Sequence, residues 1–211
     1  MRKPWQAFLR LFFRLLYNDF AWSYDLVARI VSRGQWRAWG RTTLSHLHGQ
    51  RVLELGHGPG HLLLRLAEQG LLTAGLDISS AMIRQAKERL RTADLAAPVV
   101  QARAQALPFC EESVDTVLTT FPTDYIVQPQ SLREARRVLA PGGRLVVAAA
   151  ARFEGEDVIS RFLAWLYRIT GQDEPSPGAI TPWLEQAGLS ARVVWEEVNR
   201  TAVMLIIAEK A

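Results

Sequence analysis

Short apolar runs alternate with amphipathic stretches through the middle of the chain. The apolar runs are rich in Val and Leu, which is typical of buried strands. We predict strands over Arg51–Leu55, Leu72–Asp77, Pro98–Arg103, Val114–Thr120 and Arg144–Ala150. Stretches with helical periodicity separate them, at about 59–69, 79–92 and 130–140. This alternation predicts an α/β fold with right-handed crossovers and a mostly parallel sheet.

The C-terminal third of the chain predicts a change in strand direction. Pro141-Gly142-Gly143 predicts a sharp turn before the fifth strand. Helices are predicted over 157–170 and 181–187. Two further β runs, Ala191–Val198 and Thr201–Glu209, are separated by two residues, which predicts an antiparallel hairpin. The sheet is therefore expected to be mixed.

Composition narrows the class of protein. A length of 211 residues fits one α/β domain, and a hydrophobic fraction of 49% excludes global disorder. The single cysteine excludes a disulfide framework and a Cys-rich zinc site, and it fits a cytoplasmic location. No charge-free apolar run approaches the roughly 18 residues that a transmembrane helix needs.

Charge is distributed unevenly along the chain. Residues 1–50 read as helical and hold eight basic against two acidic residues, whereas residues 51–211 hold 17 basic against 19 acidic residues. The basic character therefore indicates an anionic surface or ligand near the N terminus, not a nucleic-acid-binding protein throughout. We divide the chain into an N-terminal helical segment, 1–50, and a main domain, 51–211.

A glycine-rich turn is the most specific segment of the sequence. Gly56-His57-Gly58-Pro59-Gly60 ends a predicted strand and opens a helix, whose free N–H groups suit an anionic ligand group. The dinucleotide pattern fails, because the third glycine would fall on His61 or Leu63. No Gly-Lys-Ser/Thr sequence is present for a phosphate-binding loop. A tight turn without any ligand is the alternative.

Four segments between residues 50 and 150 stand out by their order and spacing. They are Glu54-x-Gly56-x-Gly58-x-Gly60, Gly75-Leu76-Asp77-Ile78-Ser79 with Met82 after it, Ala106-Leu107-Pro108-Phe109 followed by Ser113-Val114-Asp115, and the run from Leu132 to Gly143. Together they resemble the motifs of class I S-adenosylmethionine (SAM)-dependent methyltransferases, in the small-molecule branch of the ubiquinone/menaquinone type. The resemblance implies a Rossmann-like, doubly wound sheet of seven strands with the last strand antiparallel, preceded by an N-terminal helical extension.

The resemblance also assigns contacts with SAM. They fall on Glu54, Gly56, His57, Gly58, Gly60, Asp77, Ile78, Met82, Ala104, Gln105, Phe121 and Tyr24. Asp77 ends a strand, and its carboxylate can accept hydrogen bonds from both ribose hydroxyls; a helix cap near Ser79 is the alternative. Glu54 reaches the methionine ammonium or, alternatively, the loop backbone. His57 is interpreted as a bystander within the turn.

The sequence departs from the family pattern at the adenine contacts. Ile78 and Met82 are residue types that sandwich an adenine, although either can be core. Arg103 stands where the family often has Asp, and a guanidinium cannot accept a hydrogen bond from the adenine amino group. Backbone groups at Ala104 or the amide of Gln105 would have to accept it.

The segment after the fourth strand is where the family transfers the methyl group. Phe121 is a candidate wall for the sulfonium, and Asp124 or Tyr125 is a candidate to take a proton from the acceptor. Asp124 as a solvated loop acid is the alternative, and alignment alone can suffice for an in-line displacement. The Asn-Pro-Pro-Tyr motif of nucleic-acid methyltransferases is absent.

Residues 1–20 carry an apolar, aromatic arc at helical spacing with arginines beside it. Two interpretations remain open: a lid over the SAM cleft, or a helix that lies in a membrane interface. Tyr24 resembles the N-terminal tyrosine that covers SAM in the family, and Tyr17 is an alternative for this contact. A third interpretation is that both rings belong to the core.

The sequence therefore predicts an enzyme that moves a methyl group from SAM to a small, hydrophobic or lipid-like acceptor and releases S-adenosylhomocysteine (SAH). A non-catalytic SAM sensor or scaffold is the alternative. We expect no metal and no nucleic-acid partner, and a monomer or homodimer. The expected location is the cytoplasm, with peripheral contact at the inner face of the membrane if residues 1–20 bind lipid.

Overall fold

The computed structural model describes residues 24–123, 125–153 and 177–211. Its helices are α1 Tyr24–Val31, α2 Trp36–Arg41, a 3₁₀ helix Thr42–His46, α3 His61–Glu68, α4 Ser80–Thr92, α5 Pro129–Val138 and α6 Pro177–Gln186. Its strands are β1 Arg51–Leu55, β2 Leu72–Asp77, β3 Val99–Gln101, β4 Val114–Thr120, β5 Leu139–Phe153, β6 Leu189–Val198 and β7 Thr201–Lys210. Residues 1–20 and the helix predicted over 157–170 lie outside the described residues.

The strands form one seven-stranded sheet in the order β3-β2-β1-β4-β5-β7-β6. The first five strands pair in parallel, whereas β7 runs antiparallel between β5 and β6. The predicted mixed, doubly wound sheet is thereby confirmed. Strand order reverses between β1 and β4, and the carboxyl ends of strands beside such a reversal are where open α/β sheets bind ligands.

The C-terminal hairpin follows its predicted turn. Asn199 and Arg200 have φ values of 49° and 61°. Two consecutive residues with positive φ give a tight turn whose twist matches the strands on either side. The hairpin places β7 in the sheet, where it is almost wholly buried.

The prediction of a turn that separates α5 from β5 was wrong in one respect. β5 begins at Leu139, which pairs with Val114, and Arg144 pairs with Thr116. The intervening Pro-Gly-Gly segment therefore lies inside the strand as a bulge. Gly142, with a φ of 73°, takes up the extra chain length.

The helices before β1 pack onto the sheet. Trp39 in α2 is 1% exposed, and its indole Nε1 donates to Thr201 Oγ1 at 2.8 Å. It contacts buried residues of β5 and β7, among them Ala148 and Val203. No helix in the described ranges is long and apolar enough to cross a membrane.

At the amino edge of the sheet, one carboxylate holds the start of β1. Asp115 Oδ2 accepts hydrogen bonds from the backbone N–H groups of Gln50 and Arg51, both at 2.9 Å. Its Oδ1 accepts from the Arg51 guanidinium. A Cβ on Gly49 would lie 2.4 Å from the Asp115 carboxylate, so only glycine fits there. Chiefly through the Arg51 hydrogen bond, the pKa of Asp115 is lowered from 3.8 to about 2.

We expect Asp115→Asn to lower the melting temperature at pH 7 by roughly 3–8 °C, because charge-assisted hydrogen bonds are lost. The lowered pKa means that the carboxylate stabilises the fold fully above about pH 4 and loses this effect as the pH falls towards 2. The variant should therefore lose less stability between pH 5 and pH 2 than the unmodified protein. Calorimetry across this range measures it, with the exposed Asp94→Asn as control. Equal acid profiles would contradict the assignment.

Candidate functional site

The turn between β1 and α3 is fixed by its packing. Gly56 N donates to Leu76 O at 2.7 Å, which ties the turn to β2. A Cβ on Gly56 would lie 2.8 Å from Tyr125 Oη, and one on Gly60 would lie 2.6 Å from Ala86 Cβ. Both glycines also have positive φ values. These two positions therefore require glycine for structural reasons alone.

Gly58 differs from its two neighbours. Its φ is 54°, yet a Cβ added to it would meet no described atom within 4 Å. Gly58 itself is buried at the carboxyl edge of the sheet, so the room beside it lies within the protein and not on its surface. Gly60 is the N-cap of α3. Since glycine has no side chain to accept hydrogen bonds from the first N–H groups of the helix, these groups can bind an anionic ligand.

Asp77 joins this turn to the end of β2. Its Oδ2 accepts from Gly58 N at 2.9 Å, and its Oδ1 accepts from Ser79 N at 2.8 Å. The alternative interpretation of Asp77 as a helix cap was wrong, because Ser79 is the N-cap of α4 and its side chain accepts from Met82 N. Each carboxylate oxygen retains a lone pair for a further donor.

Glu54, near the end of β1, is a buried acid that pairs with no basic side chain among the described residues. It is 2% exposed, and its Oε2 has no hydrogen-bond partner among the described residues. Burial, with the nearby Asp77 charge adding to it, raises the pKa of Glu54 from 4.5 to about 8. With a pKa of about 8, this carboxyl group is mainly protonated at pH 7.

His57 points into the protein. Its Nδ1 donates to Gly58 O at 2.7 Å, and its Nε2 is buried without a partner in the described parts of the chain. Burial lowers the pKa of His57, against the opposing effect of Asp77. The ring packs against Gly75, where a Cβ would come within 2.8 Å of it. His57 thus supports the turn from inside.

The adenine candidates occupy different environments. Ile78 is 60% exposed directly after Asp77, whereas Met82 is 0% exposed within the core. Ala104 is also buried. The Gln105 side-chain amide donates to Gln128 Oε1 at 2.7 Å. Among the four predicted candidates, Ile78 offers the largest apolar surface to a ligand.

Phe121 lies at the carboxyl end of β4 with a positive φ of 48°, a conformation that costs free energy for a bulky residue. Its ring centroid is 4.6 Å from that of Trp36 and 5.8 Å from that of Trp39. The three rings, which we call the aromatic wall, stand at the same edge of the sheet as the glycine turn.

Tyr125 lies beneath the glycine turn. Its Oη is 2.8 Å from Thr119 Oγ1 and donates to Leu55 O at 3.2 Å. The hydroxyl thus connects β4 to the end of β1. Asp124 lies outside the described residues. Tyr24 begins α1, and its side chain is likewise outside them.

Known proteins match this chain in sequence. A family model described as "Methyltransferase domain" matches residues 52–143. A demethylmenaquinone methyltransferase from Renibacterium salmoninarum is 31% identical over 202 residues, covering 87% of this chain and 84% of the relative. The chain belongs to the class I SAM-dependent methyltransferases.

Other relatives of this methyltransferase match in part. The ubiquinone/menaquinone biosynthesis C-methyltransferase UbiE of Yersinia enterocolitica is 36% identical over 142 residues, and the match spans 56% of that relative's length. Among solved structures, geranyl diphosphate C-methyltransferase from Streptomyces coelicolor aligns with a TM-score of 0.66 at 15% identity, over 90% of this chain and 84% of that one. A SAM-dependent methyltransferase from Aquifex aeolicus aligns with a TM-score of 0.60 at 20% identity, over 82% and 89%. These structures share the fold.

Sequence reasoning missed two features of the candidate site. One is the pair of tryptophans, Trp36 and Trp39, that join the predicted Phe121 in the aromatic wall. The other is a hydrogen bond from His61 Nε2 to Asp25 Oδ1, at 2.8 Å. The sequence did hold a signal for this contact: Asp25 follows Tyr24, and His61 directly follows Gly60. Within the described ranges, no group of three or more His, Cys, Asp or Glu side chains could hold a metal ion.

The Glu54 pKa gives a pH-dependent prediction. Because the folded protein keeps a proton that the unfolded chain releases, stability falls as the pH rises from about 4.5 to about 8. Glu54→Gln removes this loss, so its advantage over the unmodified protein should grow across that window by on the order of 4–5 kcal/mol. Denaturant unfolding at pH 5 and pH 9 measures it, with the exposed Glu185→Gln as control. An advantage that does not change with pH would place the pKa of Glu54 in its ordinary range.

Proposed function

We propose that this methyltransferase transfers the SAM methyl group to a small, lipid-like acceptor of the quinone type. The grouping of Gly58, Asp77 and Glu54 at the ends of β1 and β2 is the observation that carries the proposal: Gly58 N donates to Asp77, and Glu54 Oε2 has no described hydrogen-bond partner. The relatives named for demethylmenaquinone and for ubiquinone/menaquinone C-methylation support the acceptor class. Their enzyme names also disfavour a non-catalytic sensor.

The cofactor residues fit the parts of SAM by charge and by shape. The ribose hydroxyls would donate to Asp77, whose carboxylate already faces the turn through Gly58 N. The methionine ammonium would lie at Glu54 and supply the counter-charge that its buried oxygen lacks. Gly56 and Gly60 shape the turn, while Gly58 lets the ligand approach the backbone.

The other proposed contacts are those with the adenine and with the methionine carboxylate of SAM. Ile78 would cover one adenine face, and Met82 would support that site from the core. The adenine amino group would donate to backbone at Ala104 or to Gln105. Tyr24 would approach the methionine carboxylate from α1.

The aromatic wall would line the acceptor side. The Phe121 ring packs on Trp36 and would lie between it and the transferred methyl group, which suits a flat, apolar acceptor. SAM supplies a methyl group on a positive sulfonium, and the protein must hold the acceptor atom in line with it. Tyr125 is better placed to brace the turn than to take a proton, because its hydroxyl is bonded to Thr119 and Leu55. Asp124 stays a candidate base.

A matched pair of glycine variants tests the proposal. Gly58 and Gly70 both have positive φ, and at neither would an added Cβ meet a described atom within 4 Å; Gly58 is buried in the turn, whereas Gly70 is exposed outside it. Gly58→Val should raise the Kd for SAH by on the order of 100-fold, since a side chain would fill the ligand's place. Gly70→Val should leave binding within about twofold of the unmodified protein. Calorimetry measures the Kd, and transfer of radiolabelled methyl from SAM to detergent-dispersed demethylmenaquinone measures activity.

The outcomes separate the alternatives. Tight SAH binding by Gly58→Val would show that the ligand does not approach this turn. Binding of SAH by the unmodified protein without methylation of demethylmenaquinone or of extracted membrane lipids would favour a sensor or scaffold.

We further propose that the N-terminal segment, 1–50, brings the enzyme to the inner face of the membrane from the cytoplasm, while 51–211 holds the SAM site. Leu26 and Ile30, one helical turn apart on α1, are 57% and 64% exposed. Arg29 and Arg33 are exposed beside them. Apolar side chains flanked by arginines fit an anionic lipid interface. A lid formed by residues 1–20 is the alternative, and one helix can serve both roles.

Co-sedimentation with vesicles of phosphatidylcholine and phosphatidylglycerol tests this surface. The full chain should sediment with the anionic vesicles, and Leu26→Glu/Ile30→Glu should lower the bound fraction at least about threefold. Leu72→Glu is the matched control, because Leu72 is 68% exposed at the amino end of β2, away from α1. Deleting residues 1–16 should also weaken binding. Failure of the full chain to bind would leave the lid interpretation.

A further inference from the structure

A cluster of charged side chains joins α1 to the glycine turn. Asp25 lies in the first turn of α1. His61 Nε2 donates to its carboxylate, with distances of 2.8 and 2.9 Å to the two oxygens. Arg89 and Arg37 place guanidinium nitrogens 3.6 and 3.8 Å from Asp25 Oδ2. One carboxylate thus gathers three basic side chains from α2, α3 and α4.

Two of these partners are bound directly to the turn. His61 is the first residue of α3 and follows Gly60 without a gap. Arg89 Nε donates to the backbone oxygen of Pro59, in the middle of the turn, at 3.0 Å. Asp25 therefore acts on both the middle and the end of the turn, although it lies on a separate helix.

Electrostatics makes the cluster depend on Asp25. The hydrogen bond from His61 is the main reason why the pKa of Asp25 is lowered, so this carboxylate is charged at neutral pH. Without it, Arg37 and Arg89 would face one another with no opposite charge among the described members of the cluster. Burial already disfavours the charged form of Arg89 and lowers its pKa. We expect Arg89 to turn towards solvent in that case and to release Pro59 O.

We propose that Asp25 is a positioning residue that couples the docking of α1 to cofactor binding at the glycine turn. The proposal rests on the proposed function, in which this turn binds SAM. Thermodynamic linkage makes this coupling reciprocal. Docking of α1 raises the affinity for SAM, and bound SAM raises the docking equilibrium constant of α1 by the same factor. Because α1 also carries Tyr24 and the exposed Leu26 and Ile30 face, cofactor binding fixes the orientation of that face.

Calorimetric titration with SAH tests the coupling on the full chain. Asp25→Asn should raise the Kd for SAH about fivefold or more, the lower end of typical couplings between sites. Asp25→Glu keeps the charge and should recover most of the affinity. Asp94→Asn is the matched control, since it removes one exposed carboxylate at the end of α4, where Asn tolerates the φ of 53°. Its Kd should stay within about twofold of the unmodified protein.

A double-mutant cycle tests the route through Arg89. If Asp25 acts by holding Arg89 on Pro59 O, Asp25→Asn should cost less in the Arg89→Gln background than alone. Hydrogen exchange supplies a local measure: in the SAH-free protein, Asp25→Asn should speed exchange of amides in the segment 57–61. A role confined to the stability of α1 would lower the melting temperature without changing either measure.

The results separate this inference from the proposed function. If the unmodified protein does not bind SAH, the proposed function fails. If it binds SAH and Asp25→Asn binds with the same Kd, the positioning role is overturned. Fully additive effects of Asp25→Asn and Arg89→Gln would overturn the transmission through Arg89.

Discussion

The two hydrogen bonds accepted by Asp77 hold the carboxyl ends of β1 and β2 in one arrangement. One oxygen binds Gly58 N in the turn after β1, and the other binds Ser79 N ahead of α4. The parallel register of the two strands places the carboxylate there, because Leu55 pairs with Leu76. The shape of the turn, the start of two helices and the site of negative charge all depend on this side chain.

Two residues at the same edge of the sheet lower the stability of the folded protein. Glu54 is buried next to Asp77 without a hydrogen bond to Oε2 from any described residue, and Phe121 is held at positive φ. A chain optimised for stability alone would avoid both, because an unpaired buried acid and a strained bulky residue each cost free energy. Such local conflicts concentrate at functional sites, where a ligand supplies the missing partner.

The helices before β1 contact the candidate site at the carboxyl edge of the sheet. Trp39 is anchored to the sheet through Thr201, and Trp36 packs on Phe121. Asp25 reaches the glycine turn through His61. The segment that differs most in charge from the rest of the chain therefore contacts the edge where the cofactor and acceptor are proposed to meet.

The sequence by itself determined what is encoded over a few neighbouring residues. The bounds of β1, β2 and β4, the glycine turn and the C-terminal hairpin were predictable, since strand periodicity, glycine spacing and turn residues act locally. The bulge in β5 was not, because it depends on how Leu139 pairs with the distant Val114. The pKa of Glu54 and the Asp25–His61 pair were not predictable either. Burial and long-range charge contacts exist only after the chain has folded, so the tertiary structure alone decided them.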